Sequence, residues 1–265
     1  MRRASWTLAA FSIVLLFKAV PAAAWNWSTP NEADGDRDPK AMAALDAMGS
    51  YLRTLKTFEV TAQTTDEDVL HDGEKVHYAG KTHLLAQRPG RLRAEVTNDR
   101  HDRLYMYDGK NLTLFARRLN YYSTVPAPAT IGKLADKLEE KYDTPLPLVD
   151  FFRWGTPEMS TRGITAATDL GPSEVEGTTC EHYAFREKDI DWQVWIQQGP
   201  NPLPRRLVIT TKTDEARPQH TAVYTWNLAP SFNEESFTFQ PPPGTAKVPM
   251  AEVETMRQQA RRSPR

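Results

Sequence analysis

The chain has 265 residues, 33 of them basic and 34 acidic, for a net charge of −1 with histidine neutral, and it carries a single cysteine. That balance leaves no basic footprint for nucleic acid. One cysteine excludes an intrachain disulfide, so stability has to come from packing.

Residues 1–24 start with Arg2 and Arg3, run through an apolar stretch over 6–17 that is too short to span a bilayer, and end on Ala22-Ala23-Ala24. This order of charge, apolar run and small residues predicts a cleaved secretory signal, while an uncleaved anchor would have to tolerate Lys18 and Pro21. No cysteine stands near residue 24 to take an acyl chain, so a soluble exported protein is expected. Without Arg2, Arg3 and Lys18, 30 basic residues face 34 acidic ones, a net charge of about −4. Residues 25–37 are polar and contain Pro and Gly, which predicts a loose leader. A single domain is expected over 38–249, with a charged mobile tail over 250–265.

Asp38-Pro39 supplies an N-cap and a first-position proline. Met42, Leu45, Met48, Leu52 and Leu55 then form one stripe of an amphipathic helix reaching about residue 57. From Phe58 the period changes to two: Phe58, Val60 and Ala62 alternate with polar residues, and a turn at 71–74 leads into a strand over 76–87. Arg88-Pro89-Gly90 breaks the chain before Leu92, Ala94 and Val96. Asp108-Gly109-Lys110 joins two more apolar strands over 104–107 and 112–115, and residues 120–125 close this meander. Thr130 caps a predicted helix through Tyr142, and residues 147–154 read as a second, very apolar one. Helices placed between two halves of a sheet can be packed cover or a gate, and the pattern does not choose between them. Strands resume at 164–170 and 178–185 and continue through 191–196, 203–211, 223–228 and 237–240.

Reacting groups are sparse. His71, His77 and His83 are evenly spaced but sit too far apart along their strands to predict a metal site. His101-Asp102 could pair as base and orienter, yet no nucleophile elbow or Cys–His arrangement accompanies them. Asp66, Glu67 and Asp68 read as a solvated hairpin end, and Cys180 as a buried, inert thiol. No enzyme activity, cofactor or metal is therefore expected.

Several motifs occur in a telling order: Tyr107-Asp108-Gly109-Lys110 with Leu112 and Leu114; residues 122–128 (YSTVPAP) leading into a helix; Leu146-Pro147-Leu148-Val149-Asp150-Phe151-Phe152; and the later strands 191–196, 203–209 and 237–242. In this the chain resembles the predicted periplasmic proteins grouped as DUF2092, within the wider superfamily of the lipoprotein carriers LolA and LolB. The resemblance implies an α+β fold: a strongly curved antiparallel sheet, an unclosed barrel with helices on its concave side and a hydrophobic cavity between. It also implies a periplasmic, non-enzymatic carrier or sensor of lipid or acyl chains, with transient membrane contact and no nucleic acid. The alternative is an envelope module that docks a protein partner over a filled core.

Alternation alone nominates the cavity lining: Phe58, Val60, Leu92, Val96, Leu104, Met106, Leu112, Leu114, Trp192, Val194, Ile196, Leu207, Ile209, Tyr224 and Trp226. Leu148, Phe151, Phe152 and Trp154 are the lid candidates. A strand's period cannot separate a filled interior from a ligand-lined one, so each position also reads as plain core.

Overall fold

The computed structural model describes residues 36–252 except 158 and 160. The expected signal segment 1–24, nearly all of the leader 25–37 and most of the tail 250–265 lie outside the described residues. What is described is one sheet with three α-helices.

Helix α1 (Pro39–Thr54) opens as the sequence requires, with the Asp38 carboxylate accepting from the Lys40 backbone N–H at 2.7 Å and Pro39 in the first turn. A meander follows: β1 (Thr57–Val69), β2 (Lys75–Gln87), β3 (Arg91–Asn98), β4 (Asp102–Tyr107), β5 (Asn111–Ala116) and β6 (Tyr121–Pro126). Helices α2 (Ile131–Tyr142) and α3 (Asp150–Arg153) interrupt it. The second run is β7 (Ala166–Val175), β8 (Thr178–Arg186), β9 (Ile190–Gln197), β10 (Pro204–Thr211) and β11 (Gln219–Asn227), with β12 (Ala246–Lys247) last. The strand order is β12-β6-β5-β4-β3-β2-β1-β11-β10-β9-β8-β7, so β1 and β11 join the two runs through eight residue pairs. All pairings within it are antiparallel except the short β12–β6 contact.

The sheet is unclosed, because β12 and β7 are its two separate edges. It is also curved, as the lengths of its elements require. Twelve strands laid flat would span about 50 Å, whereas α1 with 16 residues is about 24 Å long and α2 with 12 is about 18 Å. Yet one continuous buried cluster reaches from Leu112 on β5 to Ala167 on β7 and takes in α1, α2 and α3. Such short helices can bridge so many strands only from inside a curve. Phe58, Val60 and Ala62 on β1, Leu84 and Ala86 on β2, and Leu92 and Ala94 on β3 all point to this concave side and are fully buried.

The structure corrects the sequence reading in three places. Leu104 and Met106 are not on the concave side. Register sets them beside Glu95 and Arg93, and they pack with Phe115, Tyr122 and Phe239 in a separate cluster on the convex face. Strand β4 is apolar on both faces, and it is Tyr105 and Tyr107 that enter the main core. Residues 237–240 do not form a strand. Asn233 and Ser236 make a reciprocal capping box that winds 234–237 into a 3-10 turn, and prolines 241–243 offer no N–H to a ladder. Phe239 instead caps the convex cluster, its ring 5.6 Å from Phe115 and 5.1 Å from Tyr122. The apolar segment 147–154 is helical only over Asp150–Arg153, because Leu148 takes a left-handed φ of 54° that no α-helix can contain.

Candidate functional site

The middle of the concave side is filled by α3. Phe151 is 2 % exposed and meets Tyr224 edge-on at 5.0 Å, Trp226 at 4.8 Å and Trp154 at 5.8 Å. Phe152 lies 5.8 Å from Phe58, which in turn lies 5.6 Å from Trp226. The Arg88 guanidinium stacks over Phe152 at 4.8 Å and donates to the Phe151 carbonyl at 2.9 Å, which pins the turn from the sheet side. Phe58, Val60, Leu92, Leu112, Val194, Ile196 and Tyr224 are buried in this packed region, and Val96, Leu114, Leu148 and Trp226 pack at its margin. Two of the lid candidates, Phe151 and Phe152, are therefore a plug.

Space remains to one side, between α1, the 154–163 segment and strands β9 and β10. A cavity of about 740 Å³ lies there, with Leu45, Trp154, Met159, Ile164, Ile190, Trp192, Leu207 and Ile209 as its apolar wall. Trp192, Leu207 and Ile209 are sheet positions that alternation nominates, and Trp154 is the lid candidate that reaches the cavity. Its roof depends on two glycines. A Cβ on Gly49 of α1 would sit 2.9 Å from the Gly155 Cα, so the helix and the following turn touch backbone to backbone. Gly155 itself has a φ of +73°, and its carbonyl accepts from the Arg53 guanidinium, which locks the turn to α1.

The polar part of the wall is mostly acidic: Asp46, Asp150 and Glu187, against Arg162. Burial pushes the Asp150 carboxyl above the usual carboxylate range, and Glu139 adds to that while Arg153 opposes it. Burial also raises the Tyr224 hydroxyl, helped by the neighbouring Asp150. Glu187 accepts from the Trp192 indole N–H at 2.9 Å, and the Trp192 ring stacks on Phe185 at 4.2 Å, so this wall is held rigidly.

The other chemically suggestive residues are dispersed. His83 meets Glu59 at 2.6 Å on the convex side of the β1–β2 pair, and His77 lies 3.9 Å from Glu67. Asp102 is taken by Arg117 at 3.0 Å, on the face opposite the cavity, and so does not orient His101. Asp66, Glu67 and Asp68 pair with His220, Lys75 and Arg100. Cys180 is buried in a convex cluster, and burial pushes its thiol up. No group of three metal-binding side chains occurs among the described residues. No helix among them is long and apolar enough to cross a membrane.

Sequence reasoning missed Asp150, Met159, Ile164, Glu187 and Ile190 as lining residues. Segment 155–163 carries no period of either kind, and Ile190 starts a strand from a turn, so only the fold brings them together.

A family model described as predicted periplasmic protein, DUF2092, matches residues 41–251. No curated protein matches the sequence. Among solved structures, the lipoprotein LppX of Mycobacterium tuberculosis is similar at 12% identity and a TM-score of 0.47, over 74% of this chain and 100% of the other. LprF from Mycobacterium bovis is similar at 14% identity and a TM-score of 0.46, over 75% and 97%. A LolA superfamily protein from Nitrosomonas europaea is similar at 10% identity and a TM-score of 0.32, over 75% and 97%. Likeness at this level assigns no function.

Proposed function

The chain belongs to the DUF2092 family of predicted periplasmic proteins, and from that premise we propose that it is a non-enzymatic carrier or sensor that holds an alkyl or acyl chain of a lipid in the cavity beneath residues 154–163. The observation that carries this reading is the cavity itself. Its volume of about 740 Å³ is in the range of sites that enclose a small ligand, and indole and branched aliphatic side chains supply seven of its sixteen lining residues. Each methylene taken from water contributes about 0.8 kcal/mol. Eight of them contribute roughly 6 kcal/mol, comparable with the lower end of the cost of association. The occupant is therefore a long chain rather than a short one. The reading needs no bond to be made or broken, in keeping with the dispersal of His101, Asp102 and Cys180.

The rival reading, a docking module with a filled core, draws support from the packed middle of the concave side. Its weakness is the surface. Among the described residues the large apolar side chains that stand exposed are Leu70, Leu119, Tyr121 and Leu170, and only Leu119 and Tyr121 border one pocket. The β7 edge is also guarded against added strands by a bulge between Asp169 and Gly171 and by Pro172.

The test is native mass spectrometry of the full chain purified from a membrane-containing lysate, with lipid extraction in parallel. A lipid adduct that Ile209→Trp removes is the expected result. A clean apo mass, with no uptake when long-chain lipids are offered, would falsify the reading.

A further inference from the structure

A second pocket, of about 500 Å³, lies at the other end of the concave side, and its chemistry is opposite in sign. It is bounded by the β3–β4 turn, the β5–β6 connection, the last turn of α2 and the strap 248–251. The strap is fixed: the Val248 N–H donates to the Tyr122 carbonyl at 2.8 Å, the Ser123 hydroxyl donates to the Val248 carbonyl at 2.9 Å, and Lys141 pairs with Glu252 at 2.9 Å.

Three guanidinium groups line this pocket, and they differ in what they already hold. Arg100 is paired with Asp68 at 2.6 Å and lies over the Tyr78 ring at 3.9 Å. Arg118 donates to the backbone carbonyls of Asp99 and Asn98 at 2.6 and 2.7 Å, which leaves its positive charge without a counter-ion. Arg103 is half-buried, opposite Val96 and Ala116 on the concave face of β4, and has no hydrogen-bond or ion-pair partner among the described residues. The one carboxylate beside it in sequence, Asp102, also borders the pocket, but its charge is taken by Arg117 at 3.0 Å. The histidine at the rim reports the resulting field: burial, then Arg103, Arg100 and Arg118, hold His101 below its ordinary value. A half-buried guanidinium left unpaired among other cations is costly, and an oxyanion ligand would remove that cost. The floor, Leu114 with Tyr142 and Met250, is apolar, and Leu119 projects at the tip with 63% exposure.

We propose that this pocket receives the phosphate of an acidic phospholipid at a bilayer surface, with Arg103 as its principal ligand and Leu119 entering the interface, so that this end of the sheet faces the membrane. The inference does not rest on the cavity under residues 154–163, and either can fail alone.

The experiment is co-flotation of the full chain with vesicles of phosphatidylcholine, with and without phosphatidylglycerol. Binding should require phosphatidylglycerol and weaken about fivefold or more in Arg103→Gln. It should survive largely in Arg103→Lys, and weaken again in Leu119→Asp. Lys188→Gln removes the same charge from the exposed β8–β9 turn and should change binding less than about twofold. Thermal melts establish that each variant is folded. Equal loss in Arg103→Gln and Lys188→Gln would reduce the effect to net charge and overturn the proposal. So would binding of inorganic phosphate through Arg103 by a chain that ignores the vesicles, since the site would then serve a soluble anion.

Discussion

The middle and the β9–β10 end of the concave side carry the same kind of strand, apolar on alternate residues, but they are covered differently. In the middle, Phe151 and Phe152 from α3 reach down onto Phe58, Tyr224 and Trp226 and leave a packed core. At the end, the cover is the turn at 154–157 with Met159 and the 3-10 turn Thr161–Gly163, and a cavity remains above Trp192, Leu207 and Ile209. The lesson is that the space for a guest is set by the cover and not by the sheet. Greasy strand faces are necessary for a cavity, but a bulky helix turn laid on them consumes it.

The largest effect should come from emptying the middle. Phe151→Ala removes a ring that is 2% exposed and should cost about 3–5 kcal/mol of stability in denaturant unfolding. A loss below about 1 kcal/mol would mean the middle is not packed as described. Next comes the contact that seats the roof. Gly49→Ala places a methyl group 2.9 Å from the Gly155 Cα and should cost roughly 1–3 kcal/mol through overpacking, with weaker binding of a long-chain probe because the roof is displaced. Ile209→Trp fills the end cavity from the floor. It should change stability by less than about 1.5 kcal/mol and reduce chain binding at least tenfold, a separation of effects that the same substitution in the middle could not give.

The smallest effect concerns Asp150, whose carboxyl is held above its ordinary value by burial. A raised folded-state pKa means the charged form is the disfavoured one. The penalty is absent below the unfolded value of 3.8, grows as pH rises above it and is complete once pH has passed the folded value. Asp150→Asn should accordingly raise the melting temperature at pH 7 and lose that advantage as pH approaches 4. A gain of equal size at both pH values would point to packing instead of charge.

Much of this architecture can be read from residues alone. Asp38-Pro39 and the stripe from Met42 to Leu52 specify α1, the turn at Asp108-Gly109 sets the β4–β5 hairpin, and period-two runs place most strands within a few residues. The failures have physical causes. Strand β4 reads Leu-Tyr-Met-Tyr, apolar on both faces, so alternation cannot say that the tyrosines face inward. The left-handed turn at Leu148 depends on tertiary packing that no local propensity encodes. The site was legible only in part: Trp192, Leu207 and Ile209 stand out as inward strand positions, whereas Asp150 is a lone acid in an apolar helical turn and Met159 reaches the cavity from a segment without a period. The pocket around Arg103 is invisible in sequence, because its arginines come from the β3–β4 turn, strand β4 and the β5–β6 connection and share no motif.

Strand β9 offers the most direct test of where a chain lies. Trp192 borders the cavity, while Trp195, three residues on, stacks with His182 at 3.8 Å on the convex face. The measurement is quenching of tryptophan fluorescence by an alkyl-chain amphiphile brominated along its tail, compared across Trp192→Phe, Trp154→Phe and Trp195→Phe. Strong quenching of the unmodified protein should fall in the first two variants and persist in the third. Quenching that survives in Trp192→Phe and Trp154→Phe but vanishes in Trp195→Phe would put the chain on the opposite face and contradict the account.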